Sequence, residues 1–487
     1  MKKESIVSAA LAGTFLLGSC SSSPEKSISS AKLPNILLVL SDDQSVPHLG
    51  CYGNKDIKTP NLDAFASEGI RMNRAYVSSP QCVPARVAIF TGMSAVKANM
   101  TRFSAPLPEN IKIFPEILRE KGYFSGVAGR TYHMDGHARI MAPETRDVFE
   151  ANKLITFNRR LDYVNEIFDH KGYHEKLEEF LDSVPKGKPW CLQICFDDPH
   201  RPLDTMAVPV PHDPKTLTLP EKFPDTKLVR EDFARYYDEI SRLDGMFGQV
   251  LEILKNRNLD TNTIVVFMGD NGGAILRGKG TLYEYGLNVP MLIRWPGTIK
   301  PNSVCNKLVA AEDLSATFLD IAGIQKLKEM QGETLLPLLK GEPFEGHKYI
   351  YAQRGAHGYS LPNTTSEFDL SRCVLNDQFK LIYNVLWPQP FTPVDMQQLS
   401  VWTDLVERNR QGKLGEKYKR TLFQTPRPMF ELYDLKNDAS EMTNLIDKPE
   451  YAAIEHKLKA KLQERVILEH DFVPSPVPDL PQNKVYK

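Results

Sequence analysis

The 487-residue sequence has no surplus of either charge: 60 Lys and Arg stand against 61 Asp and Glu, a net charge of −1. Nucleic-acid binders normally carry a basic excess, so that class is set aside and no nucleic-acid partner is expected. A local basic pocket for an anionic substrate remains compatible with this balance. Cysteine is scarce, with seven in all. Cys51, Cys82, Cys191, Cys195, Cys305 and Cys373 are too few for a disulfide framework in a chain this long. Cys191 and Cys195, spaced Cys-x-x-x-Cys inside an apolar run, read as core, and no zinc-ligand spacing occurs. The apolar segment 6–17 behind Lys2 and Lys3 is too short for a membrane span and reads as an export signal. No internal repeat is found.

Leu17-Gly18-Ser19-Cys20 resembles a bacterial lipobox. Cleavage before Cys20 would remove residues 1–19 as a signal peptide and leave a lipid on Cys20. Residues 20–32 are Ser-rich and polar and read as a flexible tether. The expectation is an exported lipoprotein anchored to a membrane, at the periplasm or the cell surface.

Hydrophobic content of 41% supports a large core and more than one domain. Proline is plentiful at 35, which points to long ordered loops, because apolar runs recur along the chain. Residues 35–41 are continuously apolar, as in a strand buried on both faces of a parallel sheet. Further strands are expected at 123–128, 190–196, 263–268 and 290–295. Helices are expected at 61–69, 114–121, 174–182 and 231–256, and within 308–322. Residues 203–226 read as Pro-rich loop. This alternation predicts an α/β fold, a large mostly parallel sheet flanked by helices, over residues 33–345. Residues 346–487 change character: short strands at 348–353, 373–376, 379–385 and 430–435, a helix at 450–468, and a Pro-rich tail from 474. They predict a smaller antiparallel α+β subdomain.

In parallel sheets ligands bind beyond the carboxyl ends of the strands. Here four apolar strands run into Asp42-Asp43, into Gly129-Arg130 with His133, into Asp197-Asp198 with His200, and into Asp270-Asn271. Asp42, Asp43, Asp270 and Asn271 are hard oxygen donors that suit one Ca²⁺ or Mg²⁺, with Ca²⁺ the better match for an irregular protein cage. The bland alternative is that each acidic pair caps a helix. Residues 79–92 add Cys82, expected just before a helix with Pro84 in its first turn, and Arg86 on the same face. Unpaired N–H groups at that helix start favour an anion beside Cys82.

The pattern Cys82-x-Pro84-x-Arg86, followed by Thr91-Gly92, resembles the signature of type I sulfatases, with Ala85 where the usual form has Ser. With Asp42-Asp43, Asp270-Asn271-Gly272 and Lys279, the resemblance covers nearly the whole mature chain. It implies an alkaline-phosphatase-like fold and oxidation of Cys82 to formylglycine by a maturation enzyme, which would place Cys82 among the metal-site residues. Arg86, Arg130 and Lys279 would bind the sulfate, His133 would serve as base and His200 as acid. The family commonly has Lys-x-His where this chain has Arg130 and then His133 one residue further on. Asp198-Pro199-His200-Arg201, residues 379–384 with Pro393-Val394-Asp395, and residues 431–435 are similar to the heparan N-sulfatase (sulfamidase) branch. The expected substrate is a sulfated glycosaminoglycan oligosaccharide, N-sulfated on glucosamine, or alternatively O-sulfated at glucosamine 6-O or uronate 2-O. Arg354 and His357 are candidates for touching sugar oxygens. Two other classes use the same residues: a phosphate or phosphonate ester hydrolase, and a non-catalytic glycan-binding lipoprotein in which Cys82 stays a thiol.

Overall fold

A computed structural model describes residues 33–134, 143–165, 172–357 and 367–476. The expected signal peptide 1–19, the expected tether with Cys20, and the tail beyond residue 476 lie outside the described residues. The chain separates into two units, Met1–Leu33 and Pro34–Lys487.

Its strands are β1 (Asn35–Ser41), β2 (Ile70–Met72), β3 (Ala75–Tyr76), β4 (Phe124–Ala128), β5 (Tyr163–Asn165), β6 (Trp190–Cys195) and β7 (Thr263–Gly269). They continue with β8 (Met291–Arg294), β9 (Ser303–Cys305), β10 (Val309–Ala310), β11 (Ile350–Arg354), β12 (Ser371–Leu375), β13 (Phe379–Asn384) and β14 (Phe430–Asp434). The large sheet has the order β5-β4-β6-β1-β7-β8-β2-β9. Every pairing in it is parallel except those of β8, so the expected mostly parallel sheet is found.

β1 shows why that sheet is buried on both faces. Ile36, Leu38 and Leu40 point into one core with Val83, Val87 and Phe90 of the helix Cys82–Thr91. Leu37 and Val39 point into the other with Ile240, Leu243 and Phe247 of the helix Lys227–Asn256. The two-residue period of a strand thus feeds two helical layers. Each such aliphatic side chain contributes about 1.5–3 kcal/mol on burial.

The long helix begins at Lys227, four residues before the expected start, because the Thr226 hydroxyl accepts a hydrogen bond from Val229 N at 3.2 Å. Cys82 is the first residue of its helix rather than the residue before it, and Pro84 lies in the first turn as expected. All ten residues of that helix are buried. It ends on Gly92 at φ 66°, a left-handed position that favours glycine.

The second sheet, β11-β12-β13-β14, is antiparallel throughout. The helix Ala452–Leu468 covers one face, packing Leu458 and Leu462 on Val374, Leu381 and Leu432. The six described cysteines are all free. Among the described residues no helix is long and apolar enough to cross a membrane.

Candidate active site

β4, β6, β1 and β7 are neighbours in the sheet, so their carboxyl ends meet. Residues far apart in sequence converge there around Cys82. Its Sγ lies 3.5 Å from Asp42 Oδ1 and 3.8 Å from Asp43 Oδ1. The helix start therefore faces carboxylates. An anionic substrate held here needs cations between them.

Those cations are interleaved. Buried Arg86 reaches Asp270 Oδ2 through Nη2 at 2.7 Å and Asp42 Oδ2 at 3.3 Å, and it also touches Cys195 Sγ. Arg130, at φ 50° after Gly129, places Nε 2.6 Å from Asp197 Oδ1 and 3.0 Å from Asp42 Oδ2. That left-handed turn brings Arg130 to the site despite the altered spacing to His133. Lys279 Nζ lies 2.8 Å from Asp43 Oδ2, 2.8 Å from Asp395 Oδ2 and 3.2 Å from His200 Nε2.

Asp42, Asp43, Cys82 and His200 offer ligand atoms within 4.8 Å of one another, a group that can hold a metal ion. Asn271 completes the oxygen set: its Nδ2 donates to Asp43 Oδ1 at 2.7 Å, while its buried Oδ1 has no hydrogen-bond partner. Asp270 Oδ1 accepts from Asp43 N at 3.0 Å and from Asn271 N at 2.7 Å. Burial pushes the Asp43 and Asp270 carboxyls up, and the neighbouring Asp42 pushes both further. An orphaned amide oxygen and crowded buried carboxylates fit a hard divalent cation.

The ionisation states divide the labour. Burial, and then the three carboxylates, push the Cys82 thiol well up, so an unmodified thiol is no nucleophile at neutral pH. Burial and the Arg130 guanidinium hold His133 neutral. Its ring packs edge to face on Phe103, with centroids 5.7 Å apart. Burial and Lys279 lower His200 to about 4. His200 Nδ1 lies 2.5 Å from the Arg201 carbonyl, which can only accept, so Nδ1 carries the proton and Nε2 faces Lys279 as an acceptor. Burial works against the charge on Lys279, but Asp395 and Asp43 outweigh it.

His357 joins the rim. Its Nδ1 lies 3.3 Å from Gln81 Nε2, and its Nε2 lies 3.6 Å from Asp395 Oδ1. Arg354 is buried behind it and donates to the Gly280 carbonyl. Burial lowers Arg354 to about 10. It also lines a cavity of about 340 Å³ whose described walls include none of Cys82, His200 and Lys279. The rim carboxylates Asp197 and Asp395 have no assigned role in the sequence reading. For Asp395 a signal existed, since it ends the Pro393-Val394-Asp395 stretch.

Comparison with known proteins bears on this geometry. Residues 34–324 match the family model Sulfatase. Residues 275–399 and 403–467 match the model "N-sulphoglucosamine sulphohydrolase, C-terminal". An ulvan-active sulfatase of Formosa agariphila is 29% identical over 439 residues, 89% of this chain and 80% of that protein. The N-sulphoglucosamine sulphohydrolase of Homo sapiens is 25% identical over 94% of this chain and 92% of its own length. A protein solved in complex with its substrate D-glucosamine-2-N,6-O-disulfate superposes with a TM-score of 0.67 at 20% identity, covering 91% of this chain and 99% of that one. A phosphonate monoester hydrolase of Agrobacterium radiobacter reaches 0.68 at 18%, covering 92% and 100%. At such identities these two likenesses speak for the fold. With a family model spanning most of the chain, the protein belongs to the sulfatase family, hydrolases of sulfate esters and sulfamates.

Proposed function

We propose that this chain removes the N-sulfate from glucosamine at the non-reducing end of heparin or heparan sulfate oligosaccharides. The observation that carries this reading is the C-terminal half. It matches the N-sulphoglucosamine sulphohydrolase model and supplies Asp395 and His357 at the rim of the Cys82 site.

In this reading Cys82 is oxidised to formylglycine by a maturation enzyme. The hydrated aldehyde supplies a geminal diol, one hydroxyl to attack sulfur and one whose deprotonation releases sulfate. Asp42, Asp43, Asp270 and Asn271 would hold the divalent cation, Ca²⁺ in this reading, and when bound it would supply positive charge to the sulfate and the nucleophile. Arg86, Arg130 and Lys279 bind and orient the sulfate. His133, neutral and buried, takes the proton when sulfate is released. An amine leaves poorly unless protonated, and in this reading His200, hydrogen-bonded to the Lys279 ammonium, serves as the acid. Export as a lipoprotein anchored through Cys20 would bring the enzyme to polymeric glycans outside the cytoplasm.

A second reading is O-sulfate hydrolysis at glucosamine 6-O or uronate 2-O. The ulvan-active relative, more identical than the human sulphohydrolase, favours a sulfated glycan other than N-sulfated glucosamine. One experiment separates the two. Purified enzyme is given N-sulfated and 6-O-sulfated glucosamine disaccharides and ulvan fragments separately, and released sulfate is measured. The expected result is rapid release from the N-sulfated sugar alone. Release only from an O-sulfated substrate overturns the N-sulfate assignment. Repeating the assay after exhaustive chelation, and again with Ca²⁺ restored, checks the cation. Full activity without metal counts against it.

A further inference from the structure

The site gathers an anion, yet an ionised carboxylate stands at its mouth. Asp395 sits in the loop between β13 and β14 with φ 58°, a left-handed conformation that a non-glycine residue keeps only where its surroundings fix it. Its Oδ2 is 2.8 Å from Lys279 Nζ and its Oδ1 is 3.6 Å from His357 Nε2. Its side chain is 30% exposed, against 1% for Lys279, 0% for Asp43 and 10% for His357. Of this set it is the group that an arriving substrate meets first. Burial works to protonate it, but Lys279 and His357 outweigh that and hold the carboxyl well below the usual range.

Such a charge repels sulfate and cancels part of the attraction of Lys279. Its presence is favourable if it accepts hydrogen bonds from the uncharged part of the substrate. An ionised carboxylate only accepts, with about four lone-pair sites, and Lys279 takes one. The His357 ring is wedged edge to face on Phe103, centroids 4.9 Å apart, and tied to Gln81. It therefore fixes the other side of Asp395.

Lys279 Nζ lies between Asp43, in the metal group, and Asp395, 2.8 Å from each. A sulfate bound at Lys279 thus brings the neighbouring ring position towards Asp395. We propose that Asp395 is a substrate-binding residue that accepts a hydrogen bond from the sugar hydroxyl vicinal to the sulfated position, selecting glycans over simple aryl sulfates. This inference rests on the sulfated-sugar reading above.

The test measures kcat and KM of the wild type, Asp395→Asn and Asp395→Ala on three substrates. They are para-nitrophenyl sulfate, the sulfated glucosamine that the wild type turns over, and that sugar with the vicinal hydroxyl methylated. Thermal melting shows that the variants fold. The expected loss in kcat/KM on the sugar exceeds the loss on the aryl sulfate by about 10- to 100-fold, as for a lost hydrogen bond to a charged group. Methylation costs the wild type a similar factor and costs Asp395→Ala, which has no acceptor left, much less. Equal losses on sugar and aryl sulfate overturn the proposal in favour of a role through Lys279 alone. No loss on the sugar in Asp395→Ala overturns it outright, and so does a methylation penalty that persists undiminished in Asp395→Ala. If only an O-sulfated sugar is cleaved, the N-sulfate reading fails while the Asp395 comparison proceeds on that sugar. If the enzyme cleaves the aryl sulfate and no sugar, the sugar reading and this inference fall together.

Discussion

In the proposed mechanism the chemistry at Cys82 depends on a group that the sequence does not encode directly. Cys82→Ala is expected to abolish turnover while lowering stability by about 1 kcal/mol, within the ordinary range for a truncation. Activity and chemical denaturation measured on one preparation check both. Mass spectrometry of the peptide holding residue 82 in active wild type is expected to find the aldehyde, and a thiol there contradicts the mechanism. The convergence of Asp42-Asp43 with Asp270-Asn271 was legible because both pairs end unmistakable apolar strands. The Asp197-Asp198 pair was not separable in the same way. Asp198 is committed to Arg242, whose Nε and Nη2 donate to it at 2.7 and 2.8 Å, whereas Asp197 turns to Arg130. Two identical adjacent carboxylates take different partners, and only the geometry of the turn between them decides which.

Among the elements, the long apolar runs were readable and the short ones were not. β1, β6 and β7 carry enough consecutive buried residues to declare themselves. β2, β3, β9 and β10 have two or three residues each and are strands only because a neighbour supplies the ladder. The helix Asp313–Ile321 offers a test of how a single contact fixes an element. Asp313 accepts from Ala310 N at 2.9 Å and Glu333 N at 2.7 Å, and its carboxylate meets His347 Nε2 at 2.9 Å. Burial opposes charge on His347, but the Asp313 carboxylate outweighs it and raises the ring above its ordinary 6.5. A group whose folded pKa is raised stabilises in full below its unfolded pKa and loses that contribution as pH climbs through the folded value. The stability gap between wild type and His347→Gln is therefore expected to be widest below about pH 6 and to shrink towards alkaline pH. Urea unfolding across that range checks this. A gap independent of pH would show that the ring acts by packing alone.

On the scale of the whole molecule, a buried ammonium ties the second sheet to the segment that follows Lys279. Lys380 of β13 lies 2.7 Å from Glu284 and 3.0 Å from Glu441, and Glu441 also accepts from Glu284 N at 2.7 Å. Glu284 opens the short helix that follows the Lys279 segment. Lys380→Met is expected to cost about 3–5 kcal/mol, because it strands two buried carboxylates. Adding Glu441→Gln to that variant is expected to recover part of the loss. Guanidinium unfolding of the single and double variants measures both. The sheet order carries a last consequence, one of timing. Arg86 and Asp270 form their ion pair across 184 residues of chain. At about 5–20 residues per second of synthesis, the segment holding Cys82 emerges roughly 10–40 s before its partner strand exists. During that interval an enzyme can reach the side chain. Once β7 docks the helix is sealed, so under the proposed oxidation of Cys82 a chain that misses its moment would fold soundly and stay inert for life.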